Sequence, residues 1–361
     1  MENKRVISYL IVGIFVLIGV IYFINEGSWK ERLEKESVEN IVIENKTINF
    51  SSLTVRQKLS QMIMVRGDSS EIDFLKLNVG GVFLDRQESE EEYLRIISNF
   101  QKQSKVELFV STDLEGAWSP FSRDNLNEND FPKFSEINSS KEAGEIGKRH
   151  GLLLKKLGFN MNFAPVAEFK DEAYGGRVFL GTEQEVKEKL ESYIGELQKN
   201  VFGICKHYPG KGMIYNTHLW RDRQEIDKKD LELFEVCFKN NISGVMPGHQ
   251  VVFGEIDSKG KQASVSKEVI DYISDDFLIV SDEINMRGLK NSYVFLEKKQ
   301  MYKDLINSGE DLILDFKLIP RSLYKLLIEL EGMIESGEIS QEKVDKSVKK
   351  ILKLKGHILV N

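Results

Sequence analysis

The chain has 361 residues, 41% hydrophobic and 30% charged, which is enough apolar material for one large domain or two small ones. A formal net charge of −7 with no concentrated basic patch argues against a nucleic-acid-binding protein, and no nucleic-acid partner is expected. The only two cysteines, Cys205 and Cys237, sit in apolar segments, so two buried free thiols are expected rather than a disulfide or a metal pair.

Taken in order, the chain opens on an apolar run, Val6 to Ile24, that carries no charged residue and has about the length that crosses a bilayer core. Lys4 and Arg5 precede it, which suits a cytoplasmic start. No small-x-small cleavage site follows and no cysteine is there to take a lipid, so residues 1–25 read as an uncleaved transmembrane anchor. Residues 26–50 are rich in Glu, Lys and Asn and read as a charged stalk. Residues 51–361 read as one domain.

In that domain short apolar runs alternate with amphipathic ones. The predicted strands are Met62–Val65, Gly81–Asp85, Glu107–Asp113, Asn160–Val166, Phe202–His207, Gly244–His249, Phe277–Asp282 and Asp311–Asp315. A helix is expected to start at Leu53. Further helices are expected over Lys141–Leu157, Glu183–Leu197, Leu231–Phe238, Lys267–Ile273, Leu323–Ile334 and Gln341–Leu354. Short strands alternating with helices pair in parallel, and eight of them predict an α/β fold of the closed (β/α)8 barrel type over an open doubly wound sheet.

Polar residues collect at one end of these strands. Asp113, Lys206, His207, His249 and Asp282 each stand at the C-terminal end of an apolar run, and in a parallel barrel those ends converge on one face. After the fifth strand, Pro209-Gly210 ends regular structure and a loop leads to Asn216-Thr217-His218. Asp282 is followed by Glu283, and alternation lets only one of the two face the axis. A fixed carboxylate beside a proton donor such as His218 meets the needs of glycoside cleavage with retention. No metal-ligand spacing or phosphate loop occurs, so no cofactor and no metal are expected. His150 and His357 lie on helical or terminal segments, where a solvated or capping role is expected.

These residues resemble the family 3 β-N-acetylglucosaminidases. Lys206-His207-Tyr208-Pro209-Gly210-Lys211-Gly212 with Asn216-Thr217-His218 is similar to the family's histidine loop, and Ser281-Asp282-Glu283-Ile284-Asn285-Met286 to its nucleophile segment. Asp113-Leu114-Glu115-Gly116, Asn162-Phe163-Ala164-Pro165-Val166, Gly176-Arg177-Val178-Phe179 and Ala263-Ser264-Val265-Ser266 follow in the family's order, so the resemblance covers nearly all of the chain beyond the stalk. It implies that Asp282 attacks the anomeric carbon and that His218 protonates the leaving oxygen and later activates water. It also implies that Asp113, Arg177, Lys206 and His207 hold the innermost sugar, with His249 a further candidate one layer out. The implied protein is a monomeric, membrane-anchored and extracytoplasmic hydrolase of N-acetylglucosamine-containing glycans such as cell-wall fragments.

The departures fall mainly in the loops. Asn216 stands where the family has an aspartate that orients the loop histidine, and Lys211 replaces a second loop histidine. In the serine-protease triad the matching Asp-to-Asn change costs roughly 10⁴ in rate. Ala117-Trp118 replaces the usual Gly-Gly-Arg, and Ala167-Glu168 stands where Asp is common. A sugar-binding homologue with weakened catalysis, or an enzyme of shifted substrate or acceptor, would use the same residues.

Overall fold

The computed structural model describes residues 29, 31, 41–67, 72–116, 118–121, 131–170, 175–210 and 222–360. The chain divides into Met1–Ile41 and Val42–Asn361. The expected anchor, residues 1–25, lies outside the described residues, as does nearly all of the expected stalk up to residue 40. Among the described residues no helix is long and apolar enough to cross a membrane.

The larger unit is an α/β fold around one parallel sheet. Its strands are β1 (Ile63–Arg66), β2 (Gly81–Phe83), β3 (Phe109–Thr112), β4 (Met161–Asn162), β5 (Phe202–Tyr208), β6 (Gly244–Pro247), β7 (Leu278–Ile279) and β8 (Ile313–Asp315). They neighbour one another in chain order, and β8 pairs with β1. The two outer strands of this order, β7 and β8, meet at a parallel bridge between Val280 and Leu312. Around that bridge Ser281 N donates to Leu312 O and Leu312 N to Ile279 O. All eight runs expected from the sequence are therefore strands in the expected order.

A helix follows each strand in the chain: α1 (Asp73–Lys76), α2 (Glu90–Gln103), α3 (Ser140–Leu157), α4 (Glu183–Leu197), α5 (Lys228–Lys239), α6 (Lys267–Ile270), α7 (Lys298–Ser308) and α8 (Pro320–Glu335). Local chemistry sets several of their ends. Thr182 caps α4 by accepting from Glu185 N while the Glu185 side chain accepts from Thr182 N, a reciprocal box that satisfies two amides the helix cannot. Gly158 ends α3 with a φ of 95°, a left-handed conformation that costs glycine little. α3 and α4 pack tightly because Gly147 has no side chain; a Cβ there would stand 2.5 Å from the Tyr193 carbonyl.

Three expectations are corrected here. The last residues of the expected stalk are folded: Ile43–Glu44 and Thr47–Asn49 form a hairpin, and Ile358–Val360 adds to it in parallel. Its turn residues Asn45 and Lys46 have φ of 51° and 64°, the hand that matches strand twist, and Ile48 is buried. Cys205 and Cys237 are a disulfide rather than two free thiols. Cys205 lies on β5 and Cys237 on α5, the helix that follows and packs on it, so their Cα atoms come within 6.6 Å. His150 is buried rather than solvated; its Nδ1 lies 3.0 Å from the Tyr193 hydroxyl, across the α3–α4 contact. His357, at the C-terminal end, places Nδ1 3.3 Å from the Lys46 carbonyl.

Candidate active site

Asp113, Arg177, Lys206, His207 and Asp282 come together at the C-terminal end of the sheet. Lys206 is the hub. Its Nζ lies 2.6 Å from Asp113 Oδ1 and 2.5 Å from Glu115 Oε1. Arg177, on the segment after β4, donates Nε to Glu115 Oε2 at 2.5 Å and a terminal nitrogen to Oε1 at 2.9 Å, the two-pronged geometry guanidinium favours. Two carboxylates thus face two cations.

The surroundings keep Glu115 and Lys206 charged. Burial opposes ionisation of Glu115, but Arg177 and Lys206 outweigh it and hold its carboxyl below the usual range. Burial likewise opposes the Lys206 cation, and Asp113 with Glu115 reverse this and raise its pKa. Asp113 moves the other way: burial, with Glu115 nearby, raises it in spite of Lys206.

The reach of β5 into this cluster depends on an irregularity. Regular alternation would point Lys206 and His207 to opposite faces. The pairing of β5 with β6 shifts register between Lys206 and Tyr208, a bulge of the kind that re-aims a side chain. Lys206 then meets Asp113, while His207 Nε2 lies 3.9 Å from Asp282 Oδ2. Burial pushes the His207 imidazole down to about 3 against the attraction of Asp282, so at neutral pH it is a neutral hydrogen-bonding group.

Asp282 and Glu283 separate as alternation requires. Asp282 faces His207 and accepts the Glu283 amide on Oδ1 at 2.7 Å. Burial opposes its charge, but His207, His249 and that amide prevail, and its pKa is lowered. Glu283 turns the other way and accepts from the Asn285 amide and side chain and from Phe316 N. Of the two neighbours, Asp282 is thus the ionised carboxylate that faces His207.

His249, the further candidate, is held by protein on both ring nitrogens. It is fully buried, with Nδ1 2.8 Å from the Ser264 hydroxyl and Nε2 3.1 Å from the Glu283 carbonyl. Both ring nitrogens are engaged by protein, so it braces the turn that carries Asp282. Asn216 and His218 lie outside the described residues, as does Lys211.

Glu115 belongs to the motif Asp113-Leu114-Glu115-Gly116, but the resemblance assigns it no role. The signal was there: a second carboxylate two residues after Asp113, on a segment that leaves the sheet. The motif residue Asn162 had an equally hidden task. Its side-chain amide exchanges two hydrogen bonds with the Leu114 backbone at 2.9 and 3.1 Å, fixing the turn between the two acids.

The family model described as the glycosyl hydrolase family 3 N terminal domain matches residues 54–354. The chain belongs to glycosyl hydrolase family 3. Among curated proteins it is 27% identical over 250 residues to the "Beta-hexosaminidase" of Nitrosomonas eutropha, covering 62% of this chain and 71% of that protein. It is 22% identical over 331 residues to the "Beta-N-acetylglucosaminidase/beta-glucosidase" of Cellulomonas fimi, covering 84% of this chain but 57% of that one. Among solved structures, M tuberculosis LpqI superposes with a TM-score of 0.75 at 21% identity, over 85% of this chain and 95% of its own. That likeness shows a shared fold for this family 3 chain.

Proposed function

We propose that the protein is a retaining β-N-acetylhexosaminidase built on a closed (β/α)8 barrel, in which Asp282 forms a glycosyl-enzyme. One observation carries the reading. An ionised Asp282, braced through its Oδ1, stands beside neutral His207 and the Asp113–Lys206–Glu115–Arg177 cluster at the strand ends. A nucleophile must be charged and aimed, and a hydroxyl-rich sugar is best held by charged donors and acceptors. The names of the relatives in Nitrosomonas eutropha and Cellulomonas fimi support the same substrate class. The bridge between Val280 and Leu312 supports closure of the barrel.

In this reading Asp113, Lys206, His207 and Arg177 hold the sugar. Asp282 attacks the anomeric carbon as His218 delivers a proton to the leaving oxygen, and His218 then deprotonates the water that releases the sugar. Asn216 accompanies His218 without adding the negative charge that would stabilise an imidazolium. The apolar run at residues 6–24 anchors the chain, with the hydrolase on the extracytoplasmic side. The Cys205–Cys237 disulfide supports an oxidising compartment.

The test is turnover of an aryl N-acetyl-β-glucosaminide by the full chain in detergent, with mass spectrometry of Asp282 after a 2-fluoro sugar trap. Turnover together with an adduct on Asp282 is expected. Neither turnover nor adduct, with sugar binding retained, would leave the sugar-binding homologue that Asn216 favours.

A further inference from the structure

Trp118 is the large aromatic side chain beside the charged cluster that the mechanism leaves unused. It follows the motif Asp113-Leu114-Glu115-Gly116 and is 59% exposed. Single exposed aromatic side chains are ordinary on a protein surface, Phe295 among them here, so exposure alone gives Trp118 no task. The ring is, however, held in place. Glu115 N donates to Trp118 O at 2.9 Å, closing a small antiparallel bridge. The Arg177 guanidinium lies over the indole, 5.4 Å from its ring centre. Arg177 in turn is clamped on Glu115, and Glu115 on Lys206. A chain of contacts therefore fixes the exposed ring to the residues that would grip the sugar. Lys206 is followed on β5 by His207, whose Nε2 lies 3.9 Å from Asp282 Oδ2.

We propose that Trp118 is a stacking platform for the substrate beside the charged cluster. Its occupant is the flat C–H face of the innermost hexopyranose. A sugar ring presents hydroxyls at its rim and apolar C–H groups on its faces. The charged cluster suits the rim, and a fixed indole suits a face. The inference rests on the hydrolase reading for its substrate class, but binding and turnover can be scored separately.

The full chain in detergent provides the test. Its three tryptophans include Trp118, so N-acetylglucosamine is expected to change intrinsic fluorescence, and Trp118→Phe is expected to abolish most of that change. Trp118→Ala is expected to raise KM by about tenfold with kcat little changed, and Trp118→Phe to recover most of the loss. Because the proposal seats the innermost sugar, and not the leaving group, on the indole, the KM increase is expected to be equal for methyl and aryl N-acetyl-β-glucosaminides. A fluorescence change that survives Trp118→Phe, an unchanged KM in Trp118→Ala, or an increase confined to the aryl substrate each overturns the proposal. If no substrate is turned over, loss of the sugar-dependent signal in Trp118→Phe still upholds the platform while the hydrolase reading falls.

Discussion

Lys206 and Lys355 are buried lysines at opposite ends of one sheet, and their surroundings move them in opposite directions. Lys206 meets two carboxylates and is held as a cation. Lys355 donates to Gln61 Oε1 at 2.9 Å and to the Gly80 carbonyl at 2.8 Å, and lies 4.8 Å from the centre of the Phe109 ring. There burial prevails, and its pKa falls to about 7. Dipoles and an aromatic face do not replace a counter-charge in a low-dielectric interior. The C-terminal end of the sheet thus invests in balanced charge that can be shared with a ligand. The N-terminal end uses its lysine as a plug.

The comparison can be broken most severely at the reactive end. Asp282→Asn is expected to lower kcat/KM on an aryl N-acetyl-β-glucosaminide by at least about 10³-fold, because no other described group is aimed where it is. Circular dichroism should show an intact fold, and activity within tenfold of the parent would refute the assignment. Lys206→Met comes next. It leaves Asp113 and Glu115 facing each other without the central cation, so a loss of about 3–5 kcal/mol in unfolding free energy is expected alongside a large loss of activity. Urea titration measures it, and a loss below 1 kcal/mol would mean the cluster is less coupled than its distances imply.

The pH profile tests the charge states themselves. In the proposed mechanism Asp282 acts as a carboxylate, and its pKa is lowered, so activity is expected above that pKa and is lost as pH falls through it. The acid limb of kcat/KM is therefore expected below the ordinary aspartate value of ~3.9. His207 stays neutral down to about pH 3, so His207→Gln should not move a basic limb near ~6.5. A shift of that limb would make His207 the titrating group.

The smallest effect belongs to the plug. The folded pKa of Lys355 is below its unfolded value, so between about pH 7 and ~10.4 the unfolded chain binds more protons and stability rises with pH. Lys355→Met is expected to flatten that rise while leaving kcat unchanged. A slope identical to the parent's would show that Lys355 titrates normally.

Much of this was legible before the fold. Apolar runs of strand length reported the sheet, and polar residues at their C-terminal ends reported the face of the pocket, because both signals are local. Which of Asp282 and Glu283 faces the pocket was posed by alternation and answered only by packing, with Glu283 drawn off by Asn285 and Phe316. His249 looked like Lys206 and His207 from its place at a strand end. Its partners Ser264 and Glu283 come from other connections, and they turn it into a brace.

The order of strands and helices, their caps, and the kinds of residue on the reactive face were determined by the sequence itself, since period, propensity and capping act over a few neighbours. The tertiary structure decided the rest. It paired Cys205 with Cys237, seated Ile358–Val360 against the hairpin that opens the larger unit, and set Glu115 between Lys206 and Arg177. Each of these contacts joins residues far apart in the chain, and whether a buried charge is tolerated depends on what packing brings within a few ångströms of it.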